Sequence, residues 1–327
     1  MIICRTPMRV SFIGGGSDLP SYYKHYGGKV ISTTINKFMY LTVKDKFDSG
    51  IRASYSITED VEKVTQLKHP LIRSAMQLTG IDKGVEVASM ADVPKGTGLG
   101  SSSSFTVCLL HALNSLRGKT VSADYLAREA CKIEIEMCNE PIGKQDQYAA
   151  AFGGINEISF HAQGTVSVSP VSCSNVTQEN LNHHMLLFYT GKSRSASSVL
   201  AEQSYLLKTK TETVRLVDEI KNLCDPFLCA MKKNDIETMG KILSESWNLK
   251  RKTAKSVSND TIEEYIKIGR RAGAYGGKLL GAGNGGFIMF LAPPETHNEL
   301  RTNLGSRLKE MPVKTHPFGS QIIYQTD

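Results

Sequence analysis

The alternation of apolar and polar residues divides the chain into strand-like segments and segments with helical spacing. β-branched residues with short periods predict strands in the first half at residues 29–43, 84–88, 155–160 and 165–171. Apolar residues three and four positions apart predict helices at residues 101–116 and 122–138. The first half therefore mixes strands with helices.

A polar, Asn-rich stretch at residues 172–184 separates this half from the rest of the chain. Because 327 residues exceed the size at which one hydrophobic core usually keeps growing, we expect two lobes, of residues 1–175 and 176–327. In the second lobe the predicted strands cover residues 185–189, 287–291 and 321–324, and the predicted helices cover residues 196–223, 236–247, 261–272 and 296–309. This alternation predicts that the second lobe also combines α and β structure.

The charge balance favours phosphate-bearing small ligands over nucleic acid. A net charge of +7 permits attraction to phosphate, but no clustered Lys/Arg stripe with interleaved aromatic residues is present. The densest basic run contains Lys250, Arg251, Lys252 and Lys255, and we interpret it as the solvated end of a helix. We therefore predict no nucleic-acid partner.

Cysteine usage and the N-terminal residues predict a cytoplasmic protein. The seven cysteines are odd in number and show no CxxC spacing, which argues against a disulfide scaffold and against a structural zinc site. No apolar signal core opens the chain, and no segment approaches the ~20 apolar residues of a membrane span. We therefore expect reduced thiols and no membrane association.

A glycine- and serine-rich loop precedes the first predicted helix, with the sequence PKGTGLGSSSS at residues 94–104. Glycines let the backbone approach a bulky anion, and the free N–H groups of a helix N terminus stabilise phosphate oxygens. The serine hydroxyls add donors and a candidate magnesium ligand. A flexible connector with Ser101 or Ser102 as a plain helix cap is the alternative. No Lys follows Gly100, so this is not a Walker A loop.

Two further segments are rich in glycine. Residues 5–20, RTPMRVSFIGGGSDLP, place three glycines after a short apolar strand, which indicates close packing or a ligand against the backbone. Asp18 there either contacts that ligand or caps the helix that Pro20 begins, and the two roles are compatible. Residues 276–287, GGKLLGAGNGGF, hold more glycines than a hairpin turn, the alternative, requires, and so favour a backbone surface beside a ligand, facing the other two loops.

These three segments, in this order, resemble the three motifs of the GHMP kinases, the superfamily of galactokinase, homoserine kinase and mevalonate kinase. The middle loop is similar to PxGxGLGSSS. Residues 6–18 resemble the heptose 7-phosphate kinases and the fucose kinases more than galactokinase, which has Glu-His in place of Gly15-Gly16. The match runs nearly end to end. It implies an α+β fold with an N-terminal lobe like domain 2 of ribosomal protein S5 and a ferredoxin-like C-terminal lobe.

The resemblance implies that ATP and Mg²⁺ are the cofactors. The residues implied to bind ATP are Pro94, Gly96, Gly98, Leu99, Gly100, Ser101, Ser102 and Ser103. Magnesium would be held by Ser102 and Glu134.

Glu134 stands out on its predicted helix. Ala127, Ala130, Glu134 and Met137 are spaced three, four and three apart, so Glu134 lies on the apolar, inward face. An inward carboxylate is costly unless it is paired, protonated or bound to a cation, which leaves magnesium binding or a buried ion pair. Galactokinases carry a Glu twelve residues before their catalytic Asp, as Glu134 precedes Asp146 here.

Asp146 and Arg9 are the implied catalytic residues. Asp146 lies in GKQDQYAAAFGG, residues 143–154, where by itself it is a favourable carboxylate at a helix N terminus. This segment is similar to the one that holds the catalytic aspartate of galactokinase, which implies that Asp146 acts as a base or orients the sugar hydroxyl. Arg9 resembles the motif-one arginine near that hydroxyl, and an ion pair within the sheet is the alternative.

The residues that bind the substrate are less specifically indicated than the catalytic residues. Residues 189–196, YTGKSRSA, could hold an anion through N–H groups, Lys192 and Arg194, or could simply begin a surface helix. The residues predicted to bind substrate are Gly15, Gly16, Ser17, Asp18, Lys192, Arg194, Gly283 and Gly285.

The resemblance implies phosphorylation of a heptose 7-phosphate at C1, in a GDP-heptose route to surface polysaccharide. The alternatives are a C1 kinase of an unphosphorylated sugar such as fucose, and a catalytically silent sensor of sugar and nucleotide. The sequence is compatible with a homodimer and does not decide the oligomeric state.

Overall fold

Two β-sheets organise the chain, and the computed structural model describes residues 1–192 and 196–326. The first sheet has the strand order β12-β1-β2-β5-β3-β4, with β6 on the other end of β2 and β7 beside β6. Its strands are β1 (Ile2–Ile13), β2 (Gly28–Asp45), β3 (Ile51–Ser54), β4 (Thr58–Val61), β5 (Val85–Ala91), β6 (Ile155–Phe160), β7 (Val166–Pro170) and β12 (Gln321–Gln325).

The first lobe contributes five helices, of which α3 and α5 pack directly on this sheet. They are α1 (Pro20–Tyr26), α2 (Pro70–Thr79), α3 (Ser101–Leu116), α4 (Ala123–Cys131) and α5 (Gln145–Phe152). The central helix α3 packs on β1 and β2 and buries Leu109, Leu110 and Leu113 completely. Burying these apolar side chains stabilises the helix against the sheet and fixes its N terminus beside β1.

The second sheet is antiparallel, with the order β11-β8-β10-β9. Its strands are β8 (Met185–Tyr189), β9 (Gly276–Leu279), β10 (Phe287–Leu291) and β11 (Lys309–Glu310). The helices are α6 (Asn175–His184), α7 (Ala196–Thr209), α8 (Thr211–Asn222), α9 (Cys224–Lys232), α10 (Ile236–Lys250), α11 (Asp260–Arg271) and α12 (His297–Gly305). From β8 onward the succession is the β-α-β-β-α-β pattern of a ferredoxin-like lobe.

The last strand returns to the first lobe. β12 pairs antiparallel with β1, and Ile3 stands opposite Tyr324. The C-terminal residues therefore belong to the first sheet although they follow the second lobe in sequence. The lobe boundary at residue 175 stays a prediction. A single boundary in the sequence cannot assign β12 to the first lobe, because β12 follows the second lobe along the chain.

Two segments have a different secondary structure from the one that the sequence predicted. The polar stretch placed at the lobe boundary contains helix α6, whose N terminus is capped by Ser174, since its side chain accepts from the N–H of Thr177. The predicted helix at residues 196–223 is two helices, because Lys210 has extended backbone (φ −131°) between α7 and α8. Within residues 1–192 and 196–326, no helix is both long and apolar enough to cross a membrane.

Candidate active site

One cavity of about 480 Å³ collects residues from both lobes and from all three glycine-rich segments. Gly15 and Gly16 come from the first segment, Gly98 and Gly100 from the second, and Gly281 from the third. The third segment therefore faces the other two, as its composition predicted.

Arg9 on β1 and Asp146 in the first turn of α5 meet in this cavity. Arg9 Nε donates to Oδ1 and Nη2 donates to Oδ2 of Asp146, each at 2.7 Å. Arg9 Nη1 donates to the Gly98 carbonyl at 2.6 Å. The Asp146 side chain remains 28% exposed, so its carboxylate can be reached by a ligand. Arg9 does form an ion pair, but its partner is the other predicted catalytic residue rather than a residue of the sheet.

The loop at residues 94–104, which is predicted to bind phosphate, depends on glycine. Gly96, Gly98 and Gly100 have φ values of 78°, 83° and 74°, a region that L side chains rarely adopt. A β-carbon on Gly98 would lie 2.6 Å from the Leu280 carbonyl oxygen, so the loop packs directly on the third segment. Gly100 precedes α3, and no side chain caps that helix. The first-turn N–H groups therefore have no side-chain acceptor and are suited to a phosphate.

The serines after this loop form structural contacts. Ser102 Oγ donates to Glu134 Oε1 at 3.1 Å, and Ser103 Oγ donates to Glu134 Oε2 at 2.7 Å. Ser104 Oγ donates to the Pro7 carbonyl at 2.8 Å. These bonds tie the loop to β1 and to Glu134, so neither a flexible connector nor a serine cap describes the segment.

Glu134 lies in a π-helical turn, Lys132–Met137, that continues α4. Such turns are frequent at functional sites, and this one directs a carboxylate inward. Only 1% of Glu134 is exposed, and its carboxylate also accepts from Thr106 Oγ1 at 3.1 Å and from Gln147 Nε2. No lysine or arginine among residues 1–192 and 196–326 pairs with it, which excludes the buried ion pair there.

Burial is the reason that the pKa of Glu134 is raised to about 7, against the opposing effect of its four hydrogen bonds. The Ser102 hydroxyl and the Glu134 carboxylate both line the cavity and are hard oxygen donors. Magnesium is commonly held by one or two carboxylates plus substrate phosphates, so this donor set fits the predicted ion.

Asp18 connects the first glycine segment to α5. Its Oδ1 accepts from the N–H of Gly16 at 3.0 Å, and its Oδ2 accepts from the N–H of Gln145 at 3.4 Å. Helix α1 follows Leu19 without any side-chain cap, so the capping role considered for Asp18 is wrong. Burial, followed by the nearby charge of Asp146, raises the pKa of Asp18.

Two buried lysines in the cavity were not identified from the sequence. Lys250 was predicted to be solvated, but it is only 8% exposed, and its Nζ donates to the Gly281 carbonyl. Burial, with the charge of Arg9 second, lowers the pKa of Lys250 to about 8. The signal was present in the sequence, since Lys250 lies three residues after the buried Trp247 and seven after the buried Leu243, on the inward face of α10.

Lys278 is the second of these lysines. It is 2% exposed, and its Nζ donates to the carbonyl oxygens of Ser11 at 3.1 Å and Phe12 at 2.6 Å. This places a cation of the second lobe against the last residues of β1. Burial lowers the pKa of Lys278 well below its ordinary value, and the charges of Lys250 and Arg9 act in the same direction.

Comparison with known proteins decides the family. The model of the GHMP kinase N-terminal domain matches residues 65–154, and that of the GHMP kinase C-terminal domain matches residues 227–310. The chain is 31% identical over 302 residues to a D-glycero-alpha-D-manno-heptose 7-phosphate kinase of Campylobacter jejuni, with 89% of each chain covered. The chain belongs to the GHMP kinases. It is therefore an ATP-dependent phosphotransferase with the predicted two-lobed fold.

This GHMP kinase is also similar to a solved structure and to a plant protein. A crystal structure of a D-glycero-D-manno-heptose 1-phosphate kinase from Bacteroides thetaiotaomicron has a TM-score of 0.82 and 26% identity, covering 99% of this chain and 100% of that one. A bifunctional fucokinase/GDP-fucose pyrophosphorylase of Arabidopsis thaliana is 26% identical over 323 residues, which cover 91% of this chain and 30% of the plant protein.

Some predicted site residues of this GHMP kinase support the cavity without lining it. Ser17 is fully buried, and its hydroxyl donates to the Gly14 carbonyl at 2.8 Å. The Leu99 carbonyl accepts from the N–H of Arg9 at 3.0 Å, and Pro94 precedes the glycines that form the lining. Their direct roles in binding ligands stay predictions.

The remaining predicted substrate contacts are Gly283 and Gly285 of the third segment, and Lys192 and Arg194 of residues 189–196. A β-carbon on Gly283 would be 2.5 Å from the Val257 carbonyl oxygen, and one on Gly285 would be 2.9 Å from the Lys192 carbonyl oxygen. Gly283 and Gly285 pack against protein, Lys192 is exposed, and none of the three lines the cavity. Arg194 lies outside the described residues. Their predicted contact with substrate therefore has no geometric support here.

Proposed function

We propose that this GHMP kinase transfers the γ-phosphoryl group of ATP to the C1 hydroxyl of D-glycero-D-manno-heptose 7-phosphate. The products are the heptose 1,7-bisphosphate and ADP, and the hydroxyl proton is released. The proposed setting is a cytoplasmic GDP-heptose route that supplies surface polysaccharide. Support for the heptose comes from the identity to the Campylobacter jejuni enzyme along 89% of both chains.

The observation that carries the proposal is the position of the Arg9–Asp146 pair at the phosphate-binding loop. A β-carbon on Gly100 would lie 3.3 Å from Asp146 Oδ2, so the carboxylate stands beside the residue that precedes α3. An acceptor hydroxyl on Asp146 would therefore be close to a phosphoryl group at that helix N terminus. Such proximity and orientation supply much of the rate enhancement of phosphoryl transfer.

Each residue has a defined task in this proposal. Asp146 accepts the hydrogen bond, and in the end the proton, of the C1 hydroxyl. Arg9 holds both carboxylate oxygens of Asp146 and stabilises negative charge that develops during transfer. Ser102 and Glu134 would hold Mg²⁺, which would neutralise charge on the phosphate oxygens when bound.

Charge in the cavity supports a phosphorylated acceptor. Lys95, Lys250 and Lys278 line the cavity and form no ion pair with other described residues. Cations without carboxylate partners favour anionic ligands, and ATP and a sugar phosphate together bring several negative charges. The second candidate is an unphosphorylated sugar such as fucose, which the similarity to the plant fucokinase favours. A silent sensor would not need the Arg9–Asp146 pair and Glu134 intact.

The test is the release of ADP with ATP and Mg²⁺ across a panel of acceptors. The panel contains heptose 7-phosphate, unphosphorylated heptose, fucose, galactose, mannose 6-phosphate and homoserine. We expect the highest kcat/KM for heptose 7-phosphate. A higher kcat/KM for fucose would mean that the protein is a sugar kinase whose substrate is fucose. Nucleotide binding without turnover of any acceptor would favour the catalytically silent sensor.

A further inference from the structure

A buried amide in the cavity has a hydrogen-bond donor without a partner. Gln145 is 4% exposed, and its Oε1 accepts from Ser11 Oγ at 3.2 Å. Its Nε2 has no hydrogen-bond partner among the described residues, although Gln145 lines the cavity. A buried donor left unpaired costs about 1–3 kcal/mol, so an oxygen atom of a ligand at this position would remove a penalty.

Lys250 presents further unused donors. An ammonium group has three N–H donors, and the hydrogen bond to the Gly281 carbonyl uses one. Lys250 is only 8% exposed, and it forms no ion pair with any residue in the described part of the chain. A buried charge without a partner is costly, which again favours a ligand that brings oxygen atoms.

The two donors belong to one wall of the cavity. A β-carbon on Gly15 would lie 3.8 Å from Ser11 Oγ and 3.9 Å from Lys250 Nζ. Because Ser11 is the hydrogen-bond partner of Gln145, both Gln145 and Lys250 are linked to the space beside Gly15. Asp18 Oδ2 accepts from the backbone N–H of Gln145, which places its carboxylate on the same wall. We call Ser11, Gly15, Asp18, Gln145 and Lys250 the acceptor wall.

We propose that Lys250 and Gln145 bind oxygen atoms of the acceptor next to its reacting hydroxyl and thereby determine its specificity. The inference rests on the proposed function and deepens it, because Gln145 immediately precedes Asp146 in the chain. Both side-chain nitrogens only donate in these roles, so they select lone-pair oxygens such as those of hydroxyl, ring or phosphate groups. Asp18 accepts from hydroxyl protons. The acceptor wall therefore favours an acceptor that presents oxygen atoms at this position over one that presents an amine or a methyl group there.

The test is calorimetric binding of heptose 7-phosphate to the full chain in the presence of Mg²⁺ and a non-hydrolysable ATP analogue. The variants are Lys250→Met, Gln145→Leu and the rescue variant Lys250→Arg, and the matched control is Lys252→Met, at an exposed position on the same basic run. Removing one charged or buried hydrogen bond should weaken acceptor binding about tenfold or more, and the control should stay within about twofold. The Kd of the ATP analogue should change less than about threefold, and Lys250→Arg should recover part of the loss.

Equal acceptor affinity in Lys250→Met and Lys252→Met would overturn the inference, as would an equal loss of nucleotide affinity. ADP release by the wild type, measured in parallel, separates this failure from that of the proposed function. Turnover of heptose 7-phosphate by a wild type whose affinity the variants leave unchanged contradicts the inference alone. A wild type that neither binds nor phosphorylates this sugar contradicts both.

Discussion

Arg9 and Asp146 are joined by two parallel hydrogen bonds of 2.7 Å, from Nε to Oδ1 and from Nη2 to Oδ2. This fork geometry fixes the plane and the position of the carboxylate more strictly than a single contact would. The residues come from β1 and α5, and both lie against Gly100 of the 94–104 loop, where an added β-carbon would be 3.1 Å from Arg9 Cγ and 3.3 Å from Asp146 Oδ2. The pair therefore lies where the proposed nucleotide and acceptor sides of the cavity meet.

Asp146→Asn should abolish most of the activity without unfolding the protein. The amide can neither accept the hydroxyl proton nor accept both hydrogen bonds from Arg9, so kcat should fall about 10³-fold. Steady-state ADP release measures this loss, and binding of an ATP analogue confirms folding. The control is Asp124→Asn, which removes only an exposed ion pair with Arg128. A kcat for Asp146→Asn within tenfold of the wild type would contradict the assigned role.

Glu134→Gln should change the magnesium dependence. Replacing the carboxylate removes the charge proposed to hold the ion, so the Mg²⁺ concentration for half-maximal rate should rise about tenfold or more. The measurement is a magnesium titration of the initial rate at saturating ATP and acceptor. Glu136→Gln changes an exposed residue of the same turn and should leave the titration unaltered. Identical curves for the two variants would show that Glu134 is not a ligand.

Gly98→Ala should impair nucleotide binding and stability together. Its φ of 83° disfavours alanine, and the added β-carbon would lie 2.6 Å from the Leu280 carbonyl oxygen, so the loop must move. The control is Gly118→Ala, which has a φ of 70° but nothing within 4 Å of the added carbon. Gly118→Ala should therefore cost only the backbone strain of about 1 kcal/mol, and Gly98→Ala clearly more. Thermal unfolding and the KM for ATP measure both effects, and equal losses in the two variants would contradict the packing argument.

Lys250→Met should stabilise the protein at neutral pH. The folded-state pKa of about 8 lies below the ordinary 10.5, so the unfolded chain binds more protons than the folded one between these values. Stability that is present above pH 10.5 is therefore lost as the pH falls towards 8. Methionine has no proton to bind, so it removes this loss of stability, and it also loses the hydrogen bond to Gly281. The free energy of unfolding should therefore rise by about 1–2 kcal/mol at pH 7.

Chemical denaturation of the wild type and of Lys250→Met at pH 7 and at pH 9.5 measures this difference. The gap in unfolding free energy should be larger at pH 7 than at pH 9.5. A Lys250→Met variant that is less stable at both values would indicate that the lysine serves the fold rather than the ligand.

The sequence predicted those parts of the site that local spacing determines. Helical periodicity placed Glu134 inward, and the glycine content of residues 94–104 indicated a loop before a helix N terminus. Neither feature needs knowledge of distant residues. The partnership of Arg9 with Asp146 joins positions 137 residues apart, so only the tertiary fold reveals it.

Lys250 shows why the rest was missed. Its neighbours Arg251 and Lys252 are exposed, and a run of like charges usually marks a solvated helix end. The same residue also continues the buried face of α10, and burial beside Gly281 overrides the composition of the run. The return of β12 to β1 is similarly set by pairing between the two ends of the chain, which no local pattern encodes.

Phosphorus NMR of the reaction product shows whether the phosphoryl group is transferred to the C1 hydroxyl and whether Asp146 is needed for the transfer. The wild type is incubated with ATP, Mg²⁺ and D-glycero-D-manno-heptose 7-phosphate, and Asp146→Asn is run beside it. We expect one new phosphomonoester resonance coupled to the anomeric proton, formed by the wild type and nearly absent with the variant. A new resonance coupled to any other proton, or equal product from the variant, would contradict this expectation.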